Sequence, residues 1–474
     1  MASWIDSAFA TLDVGDARLN ARAKLILEAR SANPGASIPG ACASEAEREA
    51  TYRLLANPKV TPQLILDAFL VSTIARAAAF DAIVVAQDTT ELDFTRFEER
   101  VGGPLVGPSR RGLLAHVLCA FSSEGLPLGL LGADIWGRPE ASKKRPTRSA
   151  LTARPIEKKE SFRWLAGYRS VCAFKARLPK GKLVVAVSDS EGDIYECLVA
   201  AQDHRQGDQA AWANYVIRAC QNRKVADESD FLFQAVQSTP VLGTYSLNVR
   251  ARPTPAIDDR KRKQPRAPRV AKLEIRAAEI RLAPPGKKEK LPHVVTNAVL
   301  VSEANPPEGE VPITWLLLTD LPIATPQHLE AVIKFYIGRW GIEVYFKVLK
   351  SGCAVEELQL ETDKSLETCI AMYMIIAWRI LYLTMLGRAC PDLPCTVAFA
   401  PSEWQAAFAA IRKKPLPVAA PTMKEMLLMV AQLGGFMGAK GAMPGVKAVW
   451  TGLQRLEAIA FGWDLARGGG ARPG

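Results

Sequence analysis

Two aspartates and one glutamate are placed in this sequence where they could supply oxygen ligands to a divalent metal. Asp88 follows the apolar run 82–86, and Asp189 follows a second apolar run, 183–187. Glu343 lies farther along, in a segment whose pattern predicts a helix. Carboxylate oxygens are the ligands that Mg²⁺ prefers. Three carboxylates can hold two such ions about 4 Å apart, one to activate an attacking oxygen and one to stabilise a leaving oxygen, which is phosphodiester chemistry.

The helix that carries Glu343 is predicted to run from Pro326 to Lys350, because proline is favoured at the first helical position. Four polar residues recur along it at intervals of 3, 4 and 7: Tyr336, Arg339, Glu343 and Lys350. At about 100° per residue they lie within about 60° of one face. An apolar stripe beside them could bury against a sheet, so the polar stripe would border the core.

Each of these residues also has an ordinary structural explanation. Asp189 and Asp193 could cap a turn, since Asp is favoured at helix starts and in turns. The helical stripe could be a solvated face on which Arg339 and Glu343 form an i,i+4 ion pair. Only the combination of two strand-terminal aspartates with a helix bearing Glu beside Arg and Lys favours a metal site.

The elements that must position these residues are predicted from periodicity. Residues 10–80 are expected to form a small helical bundle with a basic face, and the chain beyond the helix of Glu343 is again helical. The two apolar runs before the aspartates read as strands buried on both faces. Further strands are predicted at 116–121, 126–131, 215–218, 245–249, 272–280 and 315–319. The polar, basic region of about 222–310 is interpreted as an insertion.

The positive charge is concentrated in that insertion. The net charge is +11, and residues 250–290 hold 14 Lys or Arg against 5 Asp or Glu. Clustered cations attract polyanions such as nucleic acid. A solvated basic loop is the alternative for a run of this kind when no second signal supports it.

The remaining composition excludes several classes of protein. Nine cysteines occur singly with no CxxC pair, so a zinc site or a disulfide framework is poorly supported and a reducing cytoplasm fits best. The first residues show no basic and apolar pattern of a secretory signal. The most apolar stretch, 369–386, contains Arg379 and is expected to be a buried helix, with no membrane partner.

Several ordered motifs resemble the insertion-sequence-four family of DDE transposases. The run from Tyr336 through Arg339 and Glu343 to Lys350 is similar to the Y-R-E-K signature of that family. Residues 87–90 resemble its first aspartate motif, and residues 188–194 resemble its second. The motifs stand in the expected order, and the resemblance spans nearly the whole chain.

The resemblance implies an α/β fold with a ribonuclease-H-like catalytic core at 71–365, interrupted by a β-strand insertion at about 222–310. A helical DNA-binding domain at 1–70 and a helical dimerisation domain at 366–474 would flank it. Asp88, Asp189 and Glu343 would be the catalytic residues and would bind two Mg²⁺ ions, for which Mn²⁺ could substitute.

The resemblance also implies DNA contacts. Tyr336, Arg339 and Lys350 would contact DNA near the cut end. Trp315 would stack on a flipped base, although it could equally be a core tryptophan of an apolar strand. The other expected contacts are basic: Arg18, Arg22 and Lys24 in the N-terminal domain, Arg218, and in the insertion Arg260, Lys261, Arg262 and Lys263 with Arg266, Arg269 and Lys272.

The implied reaction is cut-and-paste transposition of double-stranded DNA by a homodimer. Water nicks one strand, the freed 3′-OH forms a hairpin on the opposite strand, water reopens the hairpin, and the blunt end joins target DNA. Two alternatives remain open: a ribonuclease-H-fold nuclease that cuts without joining, and a DNA-binding regulator that has lost catalysis.

Overall fold

The fold is described from a computed structural model. The residues that it describes are 4–97, 102–107, 109–140, 154–206, 212–226, 230–249, 251, 266–286, 288–438 and 442–467. They divide into two compact units. The first unit comprises Met1–Arg145, Arg177–Lys182 and Gly338–Gly474, and the second comprises Pro146–Ala176 and Leu183–Ile337.

The described residues form helices at both ends of the chain, with strands and helices between them. The helices are α1 Trp4–Ala8, α2 Ala17–Ala32, α3 Glu45–Ala56, α4 Pro62–Ala77, α5 Phe162–Ala176, α6 Tyr195–Gln206, α7 Leu232–Gln237, α8 Pro326–Gly338, α9 Trp340–Lys347, α10 Asp363–Ala389, α11 Pro401–Arg412, α12 Met423–Leu433 and α13 Val446–Ala466. The strands are β1 Ala82–Asp93, β2 Gly103–Pro104, β3 Arg111–Ser122, β4 Pro127–Trp136, β5 Leu183–Ser188, β6 Asn214–Arg218, β7 Gly243–Val249, β8 Arg269–Leu282, β9 Val294–Glu303 and β10 Thr314–Thr319.

The sheet of the first unit is antiparallel and centred on β3. One edge of β3 pairs with β1 in a register that sets Asp88 opposite Val117. The other edge pairs with β4 and, at its start, with the short β2. The predicted hairpin is confirmed: Leu126 accepts a hydrogen bond from Ser122 across the turn, and Gly125 takes a φ of 80°. Glycine suits that left-handed position because it has no Cβ.

Helix α10 forms the centre of the first unit. Its predicted apolar part, 369–386, is almost wholly buried. The helix is long and apolar enough to cross a membrane, but 83% of its most apolar stretch is buried inside the protein. The expectation of a buried helix is therefore confirmed. The Trp378 indole packs on Phe69 of α4 and donates to the carbonyl of Pro127, which joins helix, helix and sheet in one core.

Arg30 ties the N-terminal helices to α10. The residue is 3% exposed. Its guanidinium donates to the carbonyl oxygens of Ser37 and Ile38 at 2.8 and 2.7 Å, and to the Tyr373 hydroxyl at 3.4 Å. A buried guanidinium has to satisfy its donors in this way. Arg30 thus belongs to the core and does not join the basic face of α2.

The sheet of the second unit is mixed. Strands β5 and β6 are parallel, and β10, β9, β8 and β7 follow in that order with antiparallel pairing. Predicted strands at 215–218, 245–249, 272–280 and 315–319 are confirmed within one to three residues. Strand β9 was not predicted.

Two sequence-based expectations about the active-site elements are wrong. Asp88 does not lie beyond its strand, because the β-branched residues Thr89 and Thr90 extend β1 to Asp93. The helix predicted to run unbroken to Lys350 is interrupted after Gly338, and a π-helical turn, Val348–Gly352, follows α9.

Candidate active site

Asp88 and Glu343 meet at one guanidinium in the first unit. Arg339 Nη1 lies 3.0 Å from Asp88 Oδ2, and Nη2 lies 2.7 Å from Glu343 Oε1. The side chains of Arg339, Asp88 and Glu343 are 10%, 14% and 35% exposed. The i,i+4 pair expected on a solvated helix face is therefore present. Arg339 also binds the carboxylate of Asp88 on β1, which is 251 residues away in sequence.

The position of Asp88 is fixed by its own strand. The backbone N–H of Thr89 donates to Asp88 Oδ1 at 2.8 Å. The Thr89 hydroxyl contacts His116 Nδ1 at 2.9 Å on the neighbouring strand β3. His116 is 2% exposed. The Asp88 carboxylate is thus carried by a paired strand, β1, with buried residues next to it.

Helix α9 approaches the sheet closely because of Gly341. A Cβ at this position would lie 2.7 Å from the Phe121 ring, which no side chain tolerates without movement. Tyr345, on the next turn, donates its buried hydroxyl to the Met374 carbonyl of α10 at 3.1 Å. Burial raises the pKa of Tyr345 well above its usual value. Sheet and core helix together fix the face that presents Arg339 and Glu343.

Lys350 does not join the Arg339 cluster. It lies in the π-helical turn, where i→i+5 hydrogen bonds turn the chain less per residue than in an α-helix. Its ammonium is 3.9 Å from Glu356 Oε1, which also accepts the backbone N–H of Asp93. Burial lowers the pKa of Lys350, and Glu356 and Glu91 oppose that shift. The predicted common face thus divides because the helix geometry changes.

Asp189 belongs to the second unit and follows β5 directly, as predicted. Its Oδ1 accepts the backbone N–H of Glu191 at 2.8 Å and caps a short 3₁₀ turn. Asp189 therefore caps a turn, as one of its two explanations predicted. Its metal-binding role stays a prediction.

Trp315 and Tyr336 contact each other in the second unit. Their ring centroids are 5.2 Å apart in an edge-to-face arrangement, at 61°. Such aromatic pairs stabilise packing. Trp315 is partly buried at the start of β10, and Tyr336 is 7% exposed near the end of α8. Trp315 therefore has a packing partner, Tyr336, within the protein. Its stacking on a DNA base stays a prediction.

The other basic residues occupy varied surroundings. Arg18 is exposed on α2, Arg22 is partly exposed, and Lys24 pairs with Asp6 at 3.4 Å. Arg218 is partly exposed at the end of β6. Arg260, Lys261, Arg262 and Lys263 lie outside the described residues.

Arg269, the first residue of β8, is bound by two carboxylates. It binds Glu303 at 2.9 Å and Glu310 at 2.5 Å, and the bond to Glu303 contributes most to raising its pKa. The side chain is only 15% exposed. An arginine held in this way connects the start of β8 to Glu303 at the end of β9. The expectation that Arg269 lies along DNA phosphates stays a prediction.

One charged pair near Asp189 was not predicted as such. Asp193, read from sequence as a possible cap, forms a buried ion pair with Arg223, which no local pattern singled out. The two are 30 residues apart. The sequence drew attention to only one member of this pair, Asp193, because it belongs to the 188–194 motif.

The donor chemistry of Asp88 and Glu343 fits a divalent cation. Their oxygens already converge on one positive group, and carboxylate oxygens are hard ligands. Among the described residues, no group of three or more His, Cys, Asp or Glu side chains is gathered so as to hold a metal ion. The pair of carboxylates in the first unit is the part of the predicted ligand set that the structure brings together.

Similarity to known proteins is found at both ends of the chain. Residues 1–60 match the family model described as transposase DNA-binding. Residues 375–470 match the family model described as the transposase Tn5 dimerisation domain. The chain therefore carries a transposase DNA-binding domain and a Tn5-type dimerisation domain.

A solved structure is also similar, at a low level. It is the cryo-EM structure of the piggyBac transposase synaptic complex with hairpin DNA, 11% identical, with 79% of this chain and 68% of that chain covered. The TM-score is 0.34. At that score the likeness supports neither a shared fold nor a shared reaction.

Proposed function

We propose that this chain is a cut-and-paste DNA transposase of the DDE type, in the insertion-sequence-four family. Its catalytic part would be a ribonuclease-H-like core acting on double-stranded DNA in the cytoplasm. The two family matches support a transposase that binds DNA and dimerises. The finer steps rest on residues between the matched regions.

The observation that carries the proposal is the convergence of Asp88 and Glu343 on Arg339. These are the first and third residues of the predicted catalytic set, and each comes from a different element. Two carboxylates of like charge gathered at a partly buried position need a cation between them. In this structure Arg339 is that cation.

The proposed site uses Asp88, Glu343 and Asp189 to hold two Mg²⁺ ions. When bound, the ions would supply activation of the attacking oxygen and stabilisation of the leaving oxygen. The three carboxylates would set the positions of the ions. The hydrogen bond from Thr89 N–H and the pairing of β1 with β3 keep Asp88 in place. Mn²⁺ has the same preference for oxygen ligands and would substitute.

DNA would be held by charged groups of the first unit and aromatic groups of the second. Arg339 and Lys350 are paired with acidic groups here, and both would have to exchange a carboxylate for a phosphate. Guanidinium binds phosphate with two parallel hydrogen bonds. Trp315 and Tyr336 would offer ring faces near the cut end, and Arg18, Arg22 and Lys24 would bind the transposon end.

The decisive experiment is a cleavage assay. Full-length protein is incubated with labelled DNA from both flanks of its own gene, with Mg²⁺, Mn²⁺ or EDTA. We expect nicks, hairpins and joined products that need the divalent ion. Nicks that are never joined would favour the nuclease, and binding without any nick would favour the regulator.

A second prediction concerns the basic insertion. Changing Arg260, Lys261, Arg262 and Lys263 together to Gln should weaken binding of all DNA sequences alike. If each contacts one phosphate, the slope of log affinity against log salt should fall by about 3 to 4, since each contact contributes about 0.9. Fluorescence anisotropy over a salt series measures this slope.

The matched control removes four exposed cations elsewhere. Arg412, Lys413, Lys414 and Lys424 lie exposed on the C-terminal helices and their termini. Their change to Gln should leave the slope within about 1 of wild type. An equal loss in both variants would mean that overall charge, and not the insertion, attracts the DNA.

A further inference from the structure

Asp193 lies at the centre of a closed hydrogen-bond network in the second unit. Its Oδ2 accepts the backbone N–H groups of Cys220 and Gln221, both at 2.8 Å. Its Oδ1 is 2.5 Å from Arg223 Nη1, and Arg223 Nη2 donates to the Asp193 carbonyl at 2.9 Å. The side chains of Asp193 and Arg223 are 0% and 7% exposed.

A pair as buried as this is by itself weak evidence for a gain in stability. The desolvation of two charges commonly offsets their attraction, and apolar replacements of similar volume are often as stable. What the pair does provide is geometry, because each partner has fixed directions for its hydrogen bonds. Here both carboxylate oxygens of Asp193 and two guanidinium nitrogens of Arg223 are used.

The network fixes the turn that begins at Asp189. Within it, Gly192 N–H donates to the Asp189 carbonyl at 3.2 Å, and Asp193 N–H donates to the Ser190 carbonyl at 3.3 Å. At Gly192 a Cβ would lie 2.2 Å from Ser188 Oγ and 3.1 Å from the Trp164 ring. The turn is thus packed against its surroundings in the middle and anchored through Asp193 at its end.

The segment after β6 is held by the same groups. Besides the two backbone donors, the Cys220 thiol donates to the Ser190 carbonyl at 3.3 Å. Arg223 also places its guanidinium 6.0 Å from the Tyr195 ring centroid. Two loops that follow neighbouring parallel strands are therefore locked together directly beside Asp189.

We propose that Asp193 and Arg223 are a positioning pair that holds the Asp189 carboxylate in the orientation required for metal binding. The inference rests on the proposed function, because it assigns the pair a task only if Asp189 is a metal ligand. Partners that orient a metal ligand without touching the metal typically change metal affinity or activity by about 10- to 100-fold when mutated.

The test compares metal binding with stability in the full-length protein. Calorimetric titration measures the Mn²⁺ affinity of three variants, each well below its melting temperature: Arg223→Met, Arg223→Lys and Asp193→Asn. We expect Mn²⁺ binding about 10- to 100-fold weaker for Arg223→Met. A smaller loss is expected for Arg223→Lys, which keeps the charge and is the variant to use if Arg223→Met does not fold.

The matched control lowers stability without touching the turn. Ile275→Ala truncates a buried side chain of β8 in the same unit. It should lower the melting temperature and leave Mn²⁺ affinity unchanged. If the Arg223 variants behave like this control, with lower stability and normal affinity, the pair is only structural and the inference is wrong.

A double-mutant cycle shows whether the effect passes through Asp189. In an Asp189→Asn background, Arg223→Lys should weaken Mn²⁺ binding no further, because coupled residues are not additive. Additive losses would overturn the inference. A wild-type protein that neither binds Mn²⁺ nor nicks DNA would instead refute the proposed function, so the two failures are distinguishable.

Discussion

Replacing Asp88 with asparagine is expected to reduce DNA cleavage by about 10²- to 10³-fold, the scale on which removal of one transition-state-stabilising group acts. Asparagine keeps the size of the side chain and one of its two oxygens, which can accept either from Thr89 N–H, as Oδ1 does, or from Arg339, as Oδ2 does. It loses the negative charge that a Mg²⁺ ligand provides. Single-turnover nicking of end DNA at saturating Mg²⁺ measures the effect, and binding to the same DNA should change little, since residues 1–60 form the matched DNA-binding domain.

The control for Asp88→Asn is Asp81→Asn. Asp81 precedes the same strand, and its carboxylate is exposed and paired with Lys182 at 3.0 Å. The same chemical change there should leave nicking within about twofold, since exposed ion pairs contribute little. Full cleavage by Asp88→Asn, with its fold and DNA binding intact, would show that Asp88 is not a metal ligand and would remove the basis of the proposed chemistry.

Replacing Arg339 with glutamine is expected to make the stability of the protein depend on divalent ions. Without metal, Asp88 and Glu343 lose the cation between them, and the free energy of unfolding should fall by about 2 kcal/mol. That figure allows for screening of Glu343, which is 35% exposed. Mn²⁺ should bind the freed carboxylates and reduce the deficit to less than about 1 kcal/mol. Denaturant unfolding with Mn²⁺ or EDTA measures both values.

Arg110 offers a close control, because it also bridges two carboxylates of β1. It binds Glu91 at 2.8 Å and Asp93 at 3.0 Å, with a side chain that is 39% exposed. Arg110→Gln should cost less than about 1 kcal/mol, and the loss should not respond to Mn²⁺. If the deficit of Arg339→Gln is equally insensitive to Mn²⁺, then Asp88 and Glu343 do not form a metal site together.

The proposed reaction requires Arg339 to leave the contacts that it makes in this structure. Arg339 is bound to both carboxylates here, whereas the proposed reaction requires it on DNA and the carboxylates on metal. Lys350 would likewise have to leave Glu356 in order to bind DNA. Metal and DNA would then favour one another, because each releases a group that the other needs, and such coupling is reciprocal.

Elements with strong periodicity could be predicted because their signals are local. The apolar run of β5 and the alternation of β7 and β8 are confirmed by the sheet. Where propensity and pattern competed, prediction was weaker. Asp88 was expected beyond its strand because the apolar run ends at residue 86, yet β1 stays paired with β3 through Asp88 and as far as Asp93.

The helical stripe shows a different limit. Equal rotation per residue was assumed from Tyr336 to Lys350, and this assumption fails at the break after Gly338 and again at the π-helical turn. Neither departure has a sequence signature of its own. The result is that Arg339 and Glu343 share a cluster, as predicted, while Lys350 pairs with Glu356.

The sequence by itself determined the α/β character, the order of the acidic residues and the concentration of basic residues at 250–290. These depend on residue type and on spacing over a few residues. Only the tertiary structure decided that Arg339 bridges Asp88 and Glu343, that Arg30 serves the core, and that Asp193 pairs with Arg223. These contacts join positions far apart in sequence, and they form only where packing makes a buried charge find its partner.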